Sequence, residues 1–100
     1  MSAYMIIEQD VVHQEIYDEY VARVPATVKK FGGRYLARGG RITSFSGDWH
    51  PQRIILIEFP TLDHIQQWLS SPEYQEIISI RLKSTNARAI AVEGLEGEVI

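Results

Sequence analysis

The chain has 100 residues, 45% hydrophobic and 23% charged, and no cysteine. That size suits one compact domain. The missing sulfur excludes a disulfide scaffold, a thiolate metal site and a cysteine nucleophile. Ten Lys and Arg against thirteen Asp and Glu give a net charge of −3. With no basic tail or dense basic cluster, the chain is expected to bind no nucleic acid.

The opening MSAYMIIEQD has neither the basic n-region nor the long apolar core of a signal peptide. No apolar run approaches the ~20 residues that span a bilayer, so no membrane partner is expected and a cytoplasmic location is the default. Residues 3–8 (AYMIIE) are aromatic, β-branched and unbroken, as a strand requires. Asp10 is placed as the helix N-cap that follows. Val12, Ile16, Tyr20 and Val24 then recur every four residues, with Tyr17, Val21, Val28 and Phe31 widening the stripe. Pro25 inside this helix predicts a kink or restart near Val24. Gly32 and Gly33 end it.

Residues 33–38 (GRYLAR) read as a second strand, closed by Gly39 and Gly40. Residues 42–46 (ITSFS) read as a short third strand of an added hairpin. Residues 53–59 (RIILIEF) are apolar on both alternating sets of positions, so both faces of this strand need cover. Thr61 caps a helix carrying Leu62, Ile65, Trp68 and Leu69, and Ser71–Pro72 starts the next, with Tyr74, Ile77, Ile78 and Leu82 on its apolar side. Residues 85–93 form the last strand. The whole, residues 1–100, is read as one domain, with 94–100 a short tail.

This order is α+β: a ferredoxin-like βαββαβ sandwich with an extra hairpin strand, an antiparallel sheet and helices on one face. Nothing is left in 100 residues to cover the other face of strand 53–59. A second copy, forming an isologous homodimer through the open sheet face, is the economical cover.

The runs GGRYLARGG (32–40), Gly47 with Trp49, Arg53 before IEFP (57–60), SPEY (71–74), Arg81 and VEG (92–94) together resemble the domain-of-unknown-function family thirteen-thirty, of the dimeric α/β barrel superfamily. The resemblance covers about Tyr4 to Gly94. It implies a ferredoxin-like fold and a barrel-like dimer with a cleft on each protomer. The wider superfamily holds small oxygenases that use neither metal nor flavin, muconolactone isomerase-like enzymes, haem-handling proteins and ligand-sensing domains. It therefore implies an architecture and leaves the chemistry open.

The candidate site residues follow from residue type. Arg38 and Glu58 each sit among apolar strand positions, where a charge needs a partner or a purpose. Arg38 is the candidate to bind a carboxylate or enolate, and Glu58 to move a proton; the structural alternative is that the two satisfy each other. Arg34, four residues before Arg38, is expected on the same face, and with Arg81 and Arg53 would complete an anion-attracting pocket. Arg53 also reads as a solvated strand end. His50, in the loop after Trp49, is the second catalytic candidate because imidazole exchanges protons near neutral pH. Trp49 and Tyr17 are ligand-binding candidates, and each also reads as packing. The histidines lack metal-ligand spacing and the glycine run lacks a phosphate-loop pattern, so no metal and no cofactor is expected. The function that follows is a small-molecule-binding protein, as a cofactor-independent isomerase, lyase or oxygenase acting on a small anionic metabolite. The alternatives are a non-catalytic ligand-binding or sensing dimer and a purely structural assembly protein.

Overall fold

A computed structural model describes residues 1–95. The expected tail at 94–100 falls mostly outside the described residues. The elements are β1 (Ala3–Val11), α1 (Gln14–Lys30), β2 (Arg34–Arg38), β3 (Arg53–Phe59), α2 (Leu62–Ser70), α3 (Pro72–Ser84) and β4 (Thr85–Glu93). The four strands make one sheet in the order β2-β3-β1-β4, every neighbour antiparallel. This is the ferredoxin-like order, with the two strands that supply the buried core, β3 and β1, in the centre.

Alternation along the strands gives the sheet two faces. Ala3, Met5, Ile7 and Gln9 of β1 and Ile55, Ile57 and Phe59 of β3 point to the helices and are buried. Tyr20, Val24 and Val28 of α1, Ile65 and Trp68 of α2, and Tyr74 and Ile77 of α3 close on them. Trp68 is wedged against Phe59 and Tyr74, with ring centroids 5.3 and 4.6 Å away. Its indole N–H donates to the Thr27 hydroxyl at 3.0 Å, which satisfies a polar group 1% exposed.

The helix ends largely follow the sequence signals. The Thr61 hydroxyl accepts from the His64 amide and the Ser71 hydroxyl from the Tyr74 amide. The amides of Gly32 and Gly33 return to the carbonyls of Lys29 and Val28, with Gly32 at φ +82°. Gly33 has a separate reason: a Cβ there would lie 2.7 Å from the Phe59 ring and 2.8 Å from Val28.

Four expectations change. There is no strand at 42–46, so the sheet has four strands among the described residues and no added hairpin; residues 39–52 form a long loop. Asp10 does not cap α1, because β1 runs on to Val11 and His13 takes the cap position without a side-chain bond. Helix α1 passes through Pro25 without a restart. The last change bears on the site: the β2–β3 register shifts at Leu36, between Tyr35↔Ile57 and Ala37↔Leu56. The extra residue reverses which side chains face the helices beyond it.

Candidate functional site

The bulge decides where the arginines go. Arg34 pairs in register with Glu58, on the face opposite the helices, and Arg38 pairs with Ile55, on the helix face. Arg34 and Arg38 therefore do not share a face. Tyr35 and Arg38 do, and the Arg38 guanidinium lies over the Tyr35 ring at 4.4 Å from its centroid.

Arg53 is the next arginine on the helix side, opposite Gln9 in the register. It is half-buried, with its guanidinium 5.5 Å from the Tyr17 ring centroid. It is no freely solvated strand end. Its Nε is buried without a hydrogen-bond partner, and its Nη1 rests against the backbone of Gly39. Gly39 has φ +77°, which favours glycine, and a Cβ there would lie 2.5 Å from that nitrogen and push the arginine end aside.

Between Arg38, the sheet and α1 the structure encloses a cavity of about 20 Å³. Tyr17, Tyr20, Tyr35, Gln9 and Arg38 supply its polar edges, and Ile7, Ile55, Ile57 and Trp68 its apolar wall. A space of roughly this size holds one water-sized group. Tyr17 donates to Gln9 Oε1 at 2.7 Å, and the Tyr20 and Tyr74 hydroxyls lie 3.3 Å apart. Burial, with the neighbouring Tyr74 phenol adding to it, holds Tyr20 far above the usual phenol pKa. Tyr35 is also raised by burial, an effect the Arg38 guanidinium partly opposes. Both stay protonated donors at neutral pH.

No carboxylate and no histidine lines this cavity. Among the described residues neither Arg38 nor Arg53 has an acidic partner, whereas Arg23, Lys30, Arg34 and Arg88 each have one. Arg38 thus lines the cavity and Arg53 lies beside its wall residue Tyr17, each against an aromatic ring and, among the described residues, without an acidic partner. Arg81 lies on α3, half-buried, with its Nε also unpartnered. Its charge is felt at Tyr20, so it adds to the positive field behind the tyrosines.

The other candidates lie elsewhere. Glu58 accepts from Arg34 Nε at 2.7 Å on the open face, and that bond, with one from Ser2, holds its carboxyl below the usual range. The structure does not bring Glu58 to Arg38. His50 is exposed in the 39–52 loop, 3.5 Å from Asp48 and 3.3 Å from the Ser44 hydroxyl. Trp49 leans on the open face, its indole N–H 3.4 Å from Glu8 Oε1. The sequence pattern gave Arg53 only a minor part and did not single out Tyr35. The alternation of Arg53 with Ile55, Ile57 and Phe59 was the signal that could have found the first. The second depended on the bulge.

The four-stranded sheet with helices on one face defines a ferredoxin-like α+β protein. The family model described as "Domain of unknown function (DUF1330)" matches residues 2–95, and the chain belongs to that family. No curated protein matches it. Among solved structures it is similar to a Rhodopseudomonas palustris protein of unknown function (TM-score 0.76, 16% identity, 96% of this chain and 84% of that one). A dimeric protein of unknown function and ferredoxin-like fold from Bacteroides fragilis has a TM-score of 0.67 at 13% identity, over 93% of this chain and 96% of that one. SnoaB, a cofactor-independent oxygenase from Streptomyces nogalater, has a TM-score of 0.66 at 10% identity, over 96% and 95%. At these identities the likeness is one of fold. Among the described residues no helix is long and apolar enough to cross a membrane.

Proposed function

We propose that this protein is a homodimeric small-molecule-binding protein whose ligand is a small organic anion, held at the cavity between α1 and the sheet. The observation that carries this reading is the pair Arg38 and Arg53, each laid on a tyrosine ring and, among the described residues, neither matched by an acid. Uncompensated positive charge beside low-dielectric walls attracts an anion, and two guanidinium forks suit a carboxylate. The enclosed space admits only a water-sized group, so one oxygen of the anionic head enters and the rest of the ligand stays at the mouth, beside the exposed Arg38.

The open sheet face supports the dimer. Ile90 is 63% exposed, Val92 48% and Leu36 46%, and they flank the half-buried Ile6, Ile54 and Leu56 of the central strands. A contiguous apolar patch of this kind marks an association surface.

Chemistry at the cavity is the second reading. Phenols kept protonated and guanidiniums kept unpaired are the groups that stabilise a developing enolate without metal or flavin. Glu58 and His50 have no part in it, because they sit on the open face and in the loop.

A thermal-shift panel of aliphatic and aromatic carboxylates tests binding, since a ligand that prefers the native state raises its melting temperature. A rise lost in Arg38→Ala and Arg53→Ala, and kept in Glu58→Gln and His50→Ala, is the expected result. No rise with any carboxylate, or a rise indifferent to both arginines, overturns the reading. Turnover of the bound compound separates the enzyme from the binding module.

A further inference from the structure

The 39–52 loop presents an apolar ring to solvent by construction. The Ser44 hydroxyl donates to the Trp49 carbonyl at 2.9 Å, which closes the loop's tip on itself, and Gly47 supplies the positive φ of +73° that the turn needs. Phe45 stands at that tip and is 94% exposed. The base is tied down as well: the Gln52 side chain accepts from the Val11 amide at 2.7 Å. An ordered turn that holds a phenylalanine out in water has no purpose within one subunit.

The same loop builds a receptor for such a ring. Trp49 leans over the open sheet face, and beneath it Ile6, Ile54, Ala89 and Ile90 line a groove of about 370 Å³. A second groove, between Ile54, Trp49 and the loop's own Ile42 and Phe45, continues it. Two ion pairs neutralise most of the charge of this face inside the chain: Arg88 donates to Glu8 at 2.6 Å and Arg34 to Glu58 at 2.7 Å, which leaves Asp10 at the strand's end as its one unpaired carboxylate among the described residues. A face that meets its own copy must carry little net charge, or it repels itself, and this one satisfies that condition.

We propose that the 39–52 loop is a clasp between two copies of this chain: Phe45 of each copy enters the groove beneath Trp49 of the other, and closing the clasp sets the ligand-binding arginines. The second half follows from where the loop is rooted. Arg38 is the last residue of β2 and Arg53 the first of β3, so the two guanidiniums stand at its two ends, with Gly39 packed against Arg53. A partner that fixes the loop on the open face fixes the spacing of the arginines on the helix face. Subunit pairing and anion binding are then reciprocally linked. This half rests on the anion reading above; the clasp does not.

The test is Phe45→Ala, studied by sedimentation and by titration with benzoate as the probe anion. Phe45 is almost wholly exposed in the single subunit, so its loss leaves the circular dichroism unchanged. The dimer dissociation constant rises at least tenfold. Benzoate affinity falls with it, and is recovered when Phe45→Ala is concentrated enough to pair. Trp49 emission in the wild type shifts to the blue with pairing, and Trp49→Phe removes that shift. A monomeric wild type at micromolar concentration, or a Phe45→Ala dimer as tight as the wild type, overturns the clasp. Loss of pairing with benzoate affinity unchanged overturns the linkage and leaves the anion site standing. A wild-type dimer that binds no benzoate counts against both the linkage and the anion site, while sedimentation still decides the clasp. Pairing of the open face with a different protein, and never with itself, contradicts the proposal.

Discussion

The two faces of the sheet are cut from the same strands, residue by residue, and differ in how they handle apolar surface and charge. On the helix face Ile57, Phe59 and Trp68 are at most 1% exposed, and among the described residues Arg38 and Arg53 beside them have no acidic partners. On the open face Ile90 and Val92 stay exposed, and every cation named there has its acid. The contrast teaches that apolarity and charge are arranged in opposite senses. One face is closed and keeps unpaired charge for a ligand; the other is open and cancels its charge for a copy of itself.

Removing the core tests the first half most severely. Trp68→Ala deletes the ring packed between Phe59 and Tyr74 and, although the Thr27 hydroxyl keeps its bond to the Val24 carbonyl, should cost about 3–5 kcal/mol in denaturant unfolding. Gly33→Ala is a one-carbon change at the same wall and should cost about 1–3 kcal/mol, because the Phe59 ring and Val28 must give way. The second half is broken by Ile90→Asp. In the wild type the melting temperature should climb with protein concentration, as mass action requires of a dimer, and in Ile90→Asp that dependence should vanish.

The smaller effects are titrations. Burial raises Tyr20 above its ordinary 10.0, so its contribution to stability is whole below that value and is lost as pH rises toward the folded-state pKa. Folded protein should therefore show fewer ionised tyrosines by absorbance in mild alkali than the unfolded chain. Glu58 runs the other way. Its folded pKa is depressed by Arg34, so its contribution is present above the ordinary carboxyl value and fades as pH falls through the folded one. Arg34→Ala should return the Glu58 titration toward normal in a carboxyl NMR experiment, with little change in stability because the pair lies at the surface.

The elements that carry periodic patterning were legible from residues alone. Strand 53–59 and strand 85–93 stand where the alternation put them, and Thr61 and Ser71 cap where they should. The apolar second face of β3 was readable because both alternating sets of positions in residues 53–59 are apolar. The failures share one cause, since they turn on partners rather than propensities. Residues 42–46 have the β-branched and aromatic composition of a strand, yet β3 begins only at Arg53, so no neighbour is there to pair with them. The bulge at Leu36 has no sequence signature, and it alone separates Arg34 from Arg38 and joins Arg38 to Tyr35. The candidate site was half legible for that reason: the residue types were visible, and their faces were not.

A crystal structure of the dimer soaked with benzoate tests the division of duties between the faces most directly. The account predicts the carboxylate on the helix side of the sheet, within hydrogen-bonding reach of Arg38 and Arg53 and beside the Tyr17 and Tyr35 rings. A carboxylate seated instead beside Arg34 on the open face, with the two helix-side guanidiniums turned to solvent, would contradict it.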